Sequence, residues 1–138
     1  MKIIKTYEDF WPFSKSFSEK EFNQKKILDL PKKIKLSGLS KKILDLNVSN
    51  INIGYSKKDI HRLVIEFKEG DKKSVRVNFI INDDYFITKK DSCFLIVDDN
   101  IVIHNLRVGQ NKNEIRQLDK IQEDIFELAK KEGLVKVD

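Results

Sequence analysis

The side chains best suited to chemistry are two histidines, His61 and His104, each close to an arginine in an otherwise apolar stretch. Set on opposite sides of a phosphodiester, they would act as general acid and base. Arg62, Arg76 or Arg107 would then stabilise the phosphorane-like transition state. That is the chemistry of a metal-independent ribonuclease, and His61, His104, Arg62 and Arg107 are its candidate catalytic residues. The surrounding pattern argues for a plainer role. His61 begins the alternating row Leu63, Ile65, Phe67, and His104 shares a row with Val102, Leu106 and Val108. A histidine on an apolar row is more often held by a backbone carbonyl than used in catalysis.

Other chemistries have less to stand on. Two-histidine phosphoesterases repeat His-x-Thr or His-x-Ser, whereas here the third position is Leu63 in one copy and Leu106 in the other, without the hydroxyl that binds phosphate. His61, His104 and Cys93 supply three potential zinc ligands, but no two share a short ligand spacing, so no metal is expected. Asp83-Asp84 and Asp98-Asp99 lack calcium-loop spacing and read as turns. The five glycines are isolated, which excludes a glycine-rich phosphate loop, and no cofactor is expected.

Binding is the better-supported class. Phe10, Trp11, Phe13 and Phe17 form an aromatic cluster near the N-terminus, either a hydrophobic plug or an anchor for a partner protein, since Trp is enriched at binding hot spots. The net charge of +5 is uneven. Residues 1 to 50 hold 11 Lys against 6 acids, while 51 to 100 balance 9 against 9 and the remainder 7 against 7. Lys20, Lys25, Lys26, Lys32 and Lys33 could therefore contact nucleic acid. Yet the cations are 23 Lys to 4 Arg, and Lys lacks the fork with which guanidinium reads phosphate and guanine. A lysine, isoleucine and asparagine bias of this kind also follows from an AT-rich coding genome.

Positioning these residues requires a scaffold, and 138 residues is the length of one domain that buries about 70% of its unfolded surface. The single Cys93 cannot form an internal disulfide, and no stretch approaches the roughly 18 apolar residues of a membrane helix, so a cytoplasmic protein that does not engage the membrane is expected. Residues 2 to 7 read as a short edge strand. Ser18 and Glu21 read as a capping box with Phe17 and Phe22 as its staple, starting a helix at Glu19 that should end near Asp29, before Pro31. Ile34 and Leu36 then alternate within a connector. Residues 40 to 48 fit either a helix capped by Ser40 or a strand. From 48 to 108 the chain alternates as a meander: a turn at 56 to 59, the strand HRLVIEF, a hairpin at Glu69-Gly70-Asp71, the strand KSVRVNFII, then DYFIT, SCFLIV and NIVIHNLRV, with a tip at Asp99-Asn100. Residues 57 to 67 also fit a helix, with Ser56 and Asp59 as a cap and Ile60, Leu63, Val64 and Phe67 on one face, but their β-branched content favours strand. Val75, Val77 and Phe79 should share one face, and Arg62, Glu66, Arg76 and Asn78 the other.

Residues 112 to 132 form an amphipathic helix with the stripe Ile115, Leu118, Ile121, Gln122, Ile125, Leu128 and Ala129, capped by Asn111 or Asn113, with Glu114 completing a box on Asn111, and ended by Gly133. The fold expected is α+β: N-terminal helices in a basic part spanning 1 to 47, an antiparallel meander of five to six strands, and the C-terminal helix packed on the sheet. The function expected is that of a small non-catalytic binding protein acting by protein–protein interaction, of the inhibitor, immunity, antitoxin or phage counter-defence type, in a bacterium or phage. Its binding residues would be Phe10, Trp11, Phe13, Lys20, Lys25, Lys26, Lys32, Lys33, Arg62 and Arg76. Nucleic-acid binding through the lysine-rich N-terminal third and the His61/His104 ribonuclease are the alternatives.

Overall fold

The computed structural model describes residues 15–38, 43–56, 60–107, 109 and 111–137, with the side chains from residue 19 onward. It is an α+β protein: α1 (Lys15–Ser37), five strands, β1 (Asn50–Ser56), β2 (Arg62–Glu69), β3 (Lys73–Ile81), β4 (Ile87–Val97) and β5 (Asn100–His104), and α2 (Lys112–Lys131). The strands form one antiparallel meander in the order β1-β2-β3-β4-β5. The aromatic cluster at 10 to 13 and the strand expected at 2 to 7 lie outside the described residues.

Period-two alternation assigns the faces. Leu63, Ile65 and Phe67 pair with Phe79, Val77 and Val75, and all six are fully buried. Ile27, Leu30 and Ile34 of α1 and Leu118, Ile121, Ile125, Phe126 and Ala129 of α2 close over that face, and the buried apolar side chains form one cluster. Helix α1 lies against β1 and α2 against β4 and β5, so both helices cover the same side.

Several expectations are overturned, each where tertiary burial outweighs a local signal. Helix α1 starts at Lys15 and runs through Pro31 to Ser37. Ser18 is therefore inside the helix rather than capping it, and Phe22 is 63% exposed instead of stapling the entry. A proline inside a helix loses one hydrogen bond and crowds the preceding turn, at about 3 kcal/mol. Continuing past it buries Ile34 completely, worth about 1.5–3 kcal/mol, and lets Lys33 Nζ reach Glu132 Oε1 of α2 at 3.0 Å. Ile34 and Leu36 thus belong to the helix, and α1 is the one helix described before the sheet.

Of residues 40 to 48, positions 43 to 46 make a bridged turn, Ile43 with Leu46, across Leu44 and Asp45 at positive φ, which is neither helix nor strand. DYFIT and SCFLIV are not two strands. Tyr85 sits in a left-handed turn (φ 66°) and β4 runs unbroken from Ile87, absorbing register shifts opposite Val77/Phe79 and Ile80/Ile81. Asn82 Oδ1 holds that turn by accepting from the backbone N–H of Asp84 and Phe86, and Asn23 of α1 donates to the Asp84 carbonyl at 2.9 Å. The β4–β5 tip is Asp98-Asp99, both at positive φ, one residue earlier than expected. The last strand ends at His104, and Asn105 and Leu106, expected to continue it, form a turn.

Helix α2 follows its predicted span. Phe126 joins the buried stripe while Ile115 and Leu128 are only half-buried. Asn111 stands at the cap position in left-handed backbone without a side-chain cap bond, so the box with Glu114 does not form. Gly133 (φ 74°) turns the chain out of the helix as expected. The tail then bridges in parallel to the start of β4: Ile87 N–H donates to Leu134 O at 2.7 Å and Lys136 N–H to Ile87 O at 2.9 Å. None of the helices among the described residues is long and apolar enough to cross a membrane.

Candidate interaction surface

With both helices on one side, the other side of the sheet is formed by the strand side chains alone among the described residues. The register fixes its rows. Asn52 pairs with Glu66, Glu66 with Arg76, Arg76 with Phe94 and Phe94 with His104, so one row crosses all five strands. A second runs from Gly54 through Val64 to Asn78, and Arg62 stands opposite Ser56. The expected set Arg62, Glu66, Arg76 and Asn78 is therefore on one face. Its charges are paired: Arg76 Nε donates to Glu66 Oε2 at 2.9 Å, and Arg62 Nε to Asp91 Oδ2 at 2.7 Å. Asn78 is buried and donates to the Ser92 carbonyl at 3.1 Å, which makes it part of the sheet.

Phe94 places an aromatic ring on this face. Its neighbours Cys93 and Leu95 turn to the core, so Phe94 turns outward, half-buried and stacked on His104 at 5.5 Å between centroids and 21° between planes. The His104 Nδ1 accepts the Leu106 backbone N–H at 3.1 Å. Ile101 and Val102 at the end of this face are 41% and 44% exposed. At the β1 end, Asn52, Ile53, Gly54, Val64, Glu66 and Arg76 line a depression of about 240 Å³. Gly54 makes this hollow. A Cβ placed there would meet nothing within 4 Å, and its φ is not positive, so neither crowding nor backbone geometry requires glycine at this position.

The structure does not bring His61 and His104 together. The His61 ring lies edge-on to Tyr85 (5.4 Å), which in turn meets Tyr55 (5.2 Å), on the core side of the sheet. Burial, and then the charge of Tyr85, raise the Tyr55 pKa. His104 is on the opposite face and three strands away, roughly 14 Å at ordinary strand spacing. Arg107 is exposed beyond the end of β5, its N–H bonded to the His104 carbonyl at 3.1 Å. These groups cannot flank one phosphate.

The lysines are dispersed around α1. Lys20 lies over the Tyr85 ring at 5.6 Å and Lys26 over Phe22 at 5.1 Å, while Lys33 is bound to Glu132. Lys25 and Lys32 are exposed, one helical heptad apart, with exposed Glu21 and Asp29 on the same outer surface. Helix α1 also flanks a cleft of about 280 Å³ lined by Pro31, Lys32, Lys35, Val48, Ser49, Asn50 and Ile51. A broader groove of about 560 Å³ between β4 and α2 is lined by Lys90, Asp91, Asn105, Arg116, Asp119, Lys120 and Glu123 among others. Within it Lys90 bonds Glu123, holding that carboxyl below its usual pKa, and Asn105 donates to Asp119 at 3.0 Å. Among the described residues no three His, Cys, Asp or Glu side chains are placed to hold a metal ion.

The fold and this surface define an α+β protein built on a single five-stranded meander which, among the described residues, is covered on one side and open on the other. No protein-family model, curated protein or solved structure matches the chain.

Proposed function

We propose that this is a small non-catalytic binding protein that acts by protein–protein interaction, of the inhibitor, immunity, antitoxin or phage counter-defence kind, through the open face of its sheet. The observation that carries this reading is the hollow at Gly54. A glycine inside a strand costs about 0.5–1 kcal/mol in lost order and packing, and here nothing among the described residues requires it. A partner side chain seated between Asn52, Val64 and Arg76 would require it. The Phe94–His104 stack and Arg76 supply the aromatic and guanidinium contacts in which protein interfaces are enriched. Protein suits this face better than nucleic acid because Arg62 and Arg76 are neutralised by Asp91 and Glu66, which leaves little net positive field for a phosphate backbone.

The second reading is nucleic-acid binding along α1, favoured by the exposed Lys25, Lys32 and Lys35. Capture from the native host lysate at two salt concentrations, with and without nuclease, separates the two. A protein retained throughout, and lost with Gly54→Thr or Arg76→Glu, is the expected result. Thr fills the hollow and favours strand, so Gly54→Thr should bind less while melting no lower than the parent. Recovery of nucleic acid at low salt only, with partners lost after nuclease treatment, would overturn the protein reading. Retention of the partner by both variants would remove the open face from it.

A further inference from the structure

Charge is distributed over this sheet in the reverse of the usual order. Edge strands ordinarily carry lysines, prolines or bulges that prevent another chain from pairing with them. Here the three inner strands hold the charges: four in β2, two in β3 and three in β4, counting Asp, Glu, Lys and Arg. Neither edge strand has any, β1 reading NINIGYS and β5 NIVIH. The two edges are otherwise unlike. β5 is five residues long and is broken by a register shift at Leu95/Ile96, two of the devices that close an edge. β1 has seven residues in unbroken register with β2 and no proline. Among the described residues no strand pairs with its outer side.

What adjoins that edge is a cleft of a particular chemistry. Leu28, Pro31, Lys32 and Lys35 stand at i, i+3, i+4 and i+7 and so share one flank of α1. Leu28 is 61% exposed, and Pro31, Lys32 and Lys35 line the cleft whose other wall is Val48 to Ile51. Two exposed ammonium groups and, among the described residues, no acidic side chain line this cleft, in contrast to the paired charges of the open face.

We propose that the outer edge of β1, unpaired among the described residues, and the adjoining cleft beside α1 form a strand-addition site for an extended acidic segment of a partner protein. The added strand would satisfy the outward backbone groups of β1. Its side chains on the helix side would lie along Leu28 and Pro31, and its carboxylates would meet Lys32 and Lys35. In strand addition the main chain supplies affinity and alternate side chains supply specificity. The inference rests on the protein-binding reading and adds a second contact contiguous with the open face, since β1 borders both.

The test is a titration of the isotope-labelled full chain with a synthetic peptide of alternating valine and glutamate, followed through the backbone amide resonances. A valine–lysine peptide and a single-stranded oligothymidylate serve as controls. Saturable shifts centred on residues 48 to 56 are expected. The double change Lys32→Glu with Lys35→Glu should weaken the acidic peptide roughly tenfold and reverse the charge preference. Both lysines are exposed, so an unchanged circular dichroism spectrum will verify that the variant is folded. Shifts confined to the open face, affinity indifferent to the charge reversal, or displacement of the peptide by oligothymidylate at equal concentration would each overturn the proposal. So would β1 amide shifts that follow protein concentration without peptide, which would assign the edge to a second copy of the chain. Failure here with lysate capture still dependent on Gly54 would sink this inference and leave the protein-binding reading intact.

Discussion

Gln122 shows how much one side chain can depend on its setting. It is a buried polar residue in the apolar stripe of α2, and its Nε2 donates to the carbonyls of Asn78 at 3.0 Å and Asp91 at 2.8 Å. Those carbonyls lie where the β3–β4 register shifts, so the ladder leaves them for the helix to satisfy. Gln122→Leu keeps the volume but removes both bonds, and should cost about 1–3 kcal/mol per carbonyl left dry, read as a lower denaturation midpoint with an unchanged m-value. The sequence placed Gln122 on the buried stripe by its spacing alone. It could not supply the reason, because a register shift arises from how two strands pair and has no local signature in either. Phe94 makes the same point at the surface: the run CFLIV is apolar at every position, so its alternation cannot be read, and only the neighbouring strands decide which side each residue faces.

Among the elements, α1 departs furthest from its sequence signals. Ser18, Glu21 and Pro31 spell a short capped helix, yet the chain is helical for 23 residues. Capping and proline effects of about 1–3 kcal/mol are opposed here by complete burial of Ile27, Leu30 and Ile34 against the sheet, a contribution that exists only once the sheet is formed. Pro31→Ala should therefore stabilise the protein, by up to about 3 kcal/mol, through restoration of a helical N–H. Ile34→Ala should destabilise it by about 2–5 kcal/mol. Thermal melts of the two variants check both directions, and a destabilised Pro31→Ala would mean that the helix is built around its proline. Helix α2 needed no such correction, because its apolar period and its terminating glycine agree with its packing.

At the scale of the molecule, Cys93 reports on the whole. It is fully buried in β4, and burial, followed by the charge of Asp119, pushes its thiol pKa far up. A folded-state pKa raised in this way means that the unfolded chain releases the proton first. Stability is therefore unaffected below the ordinary thiol pKa of about 8.5 and falls as pH rises beyond it. Alkylation of Cys93 should be slow in the native protein and should accelerate with denaturant in parallel with global unfolding. Fast labelling in native buffer would show a local opening near β4. The same arrangement, which among the described residues puts two helices on one face and leaves the second open, is what makes a docking surface available at all.

The sequence by itself determined the class of fold, the meander and its hairpin turn after β2, the assignment of Val75, Val77 and Phe79 to the core side and of Arg62, Glu66 and Arg76 to the other, and the span of α2. Each of these rests on a period or a turn residue, signals carried within a dozen neighbouring positions. Tertiary structure alone decided the length of α1, the bulged join that makes one strand of DYFIT and SCFLIV, the separation of His61 from His104 across the sheet, and the hollow at Gly54. These depend on which segments meet in space, and pairing energies between residues tens of positions apart leave no periodicity in the chain to be read.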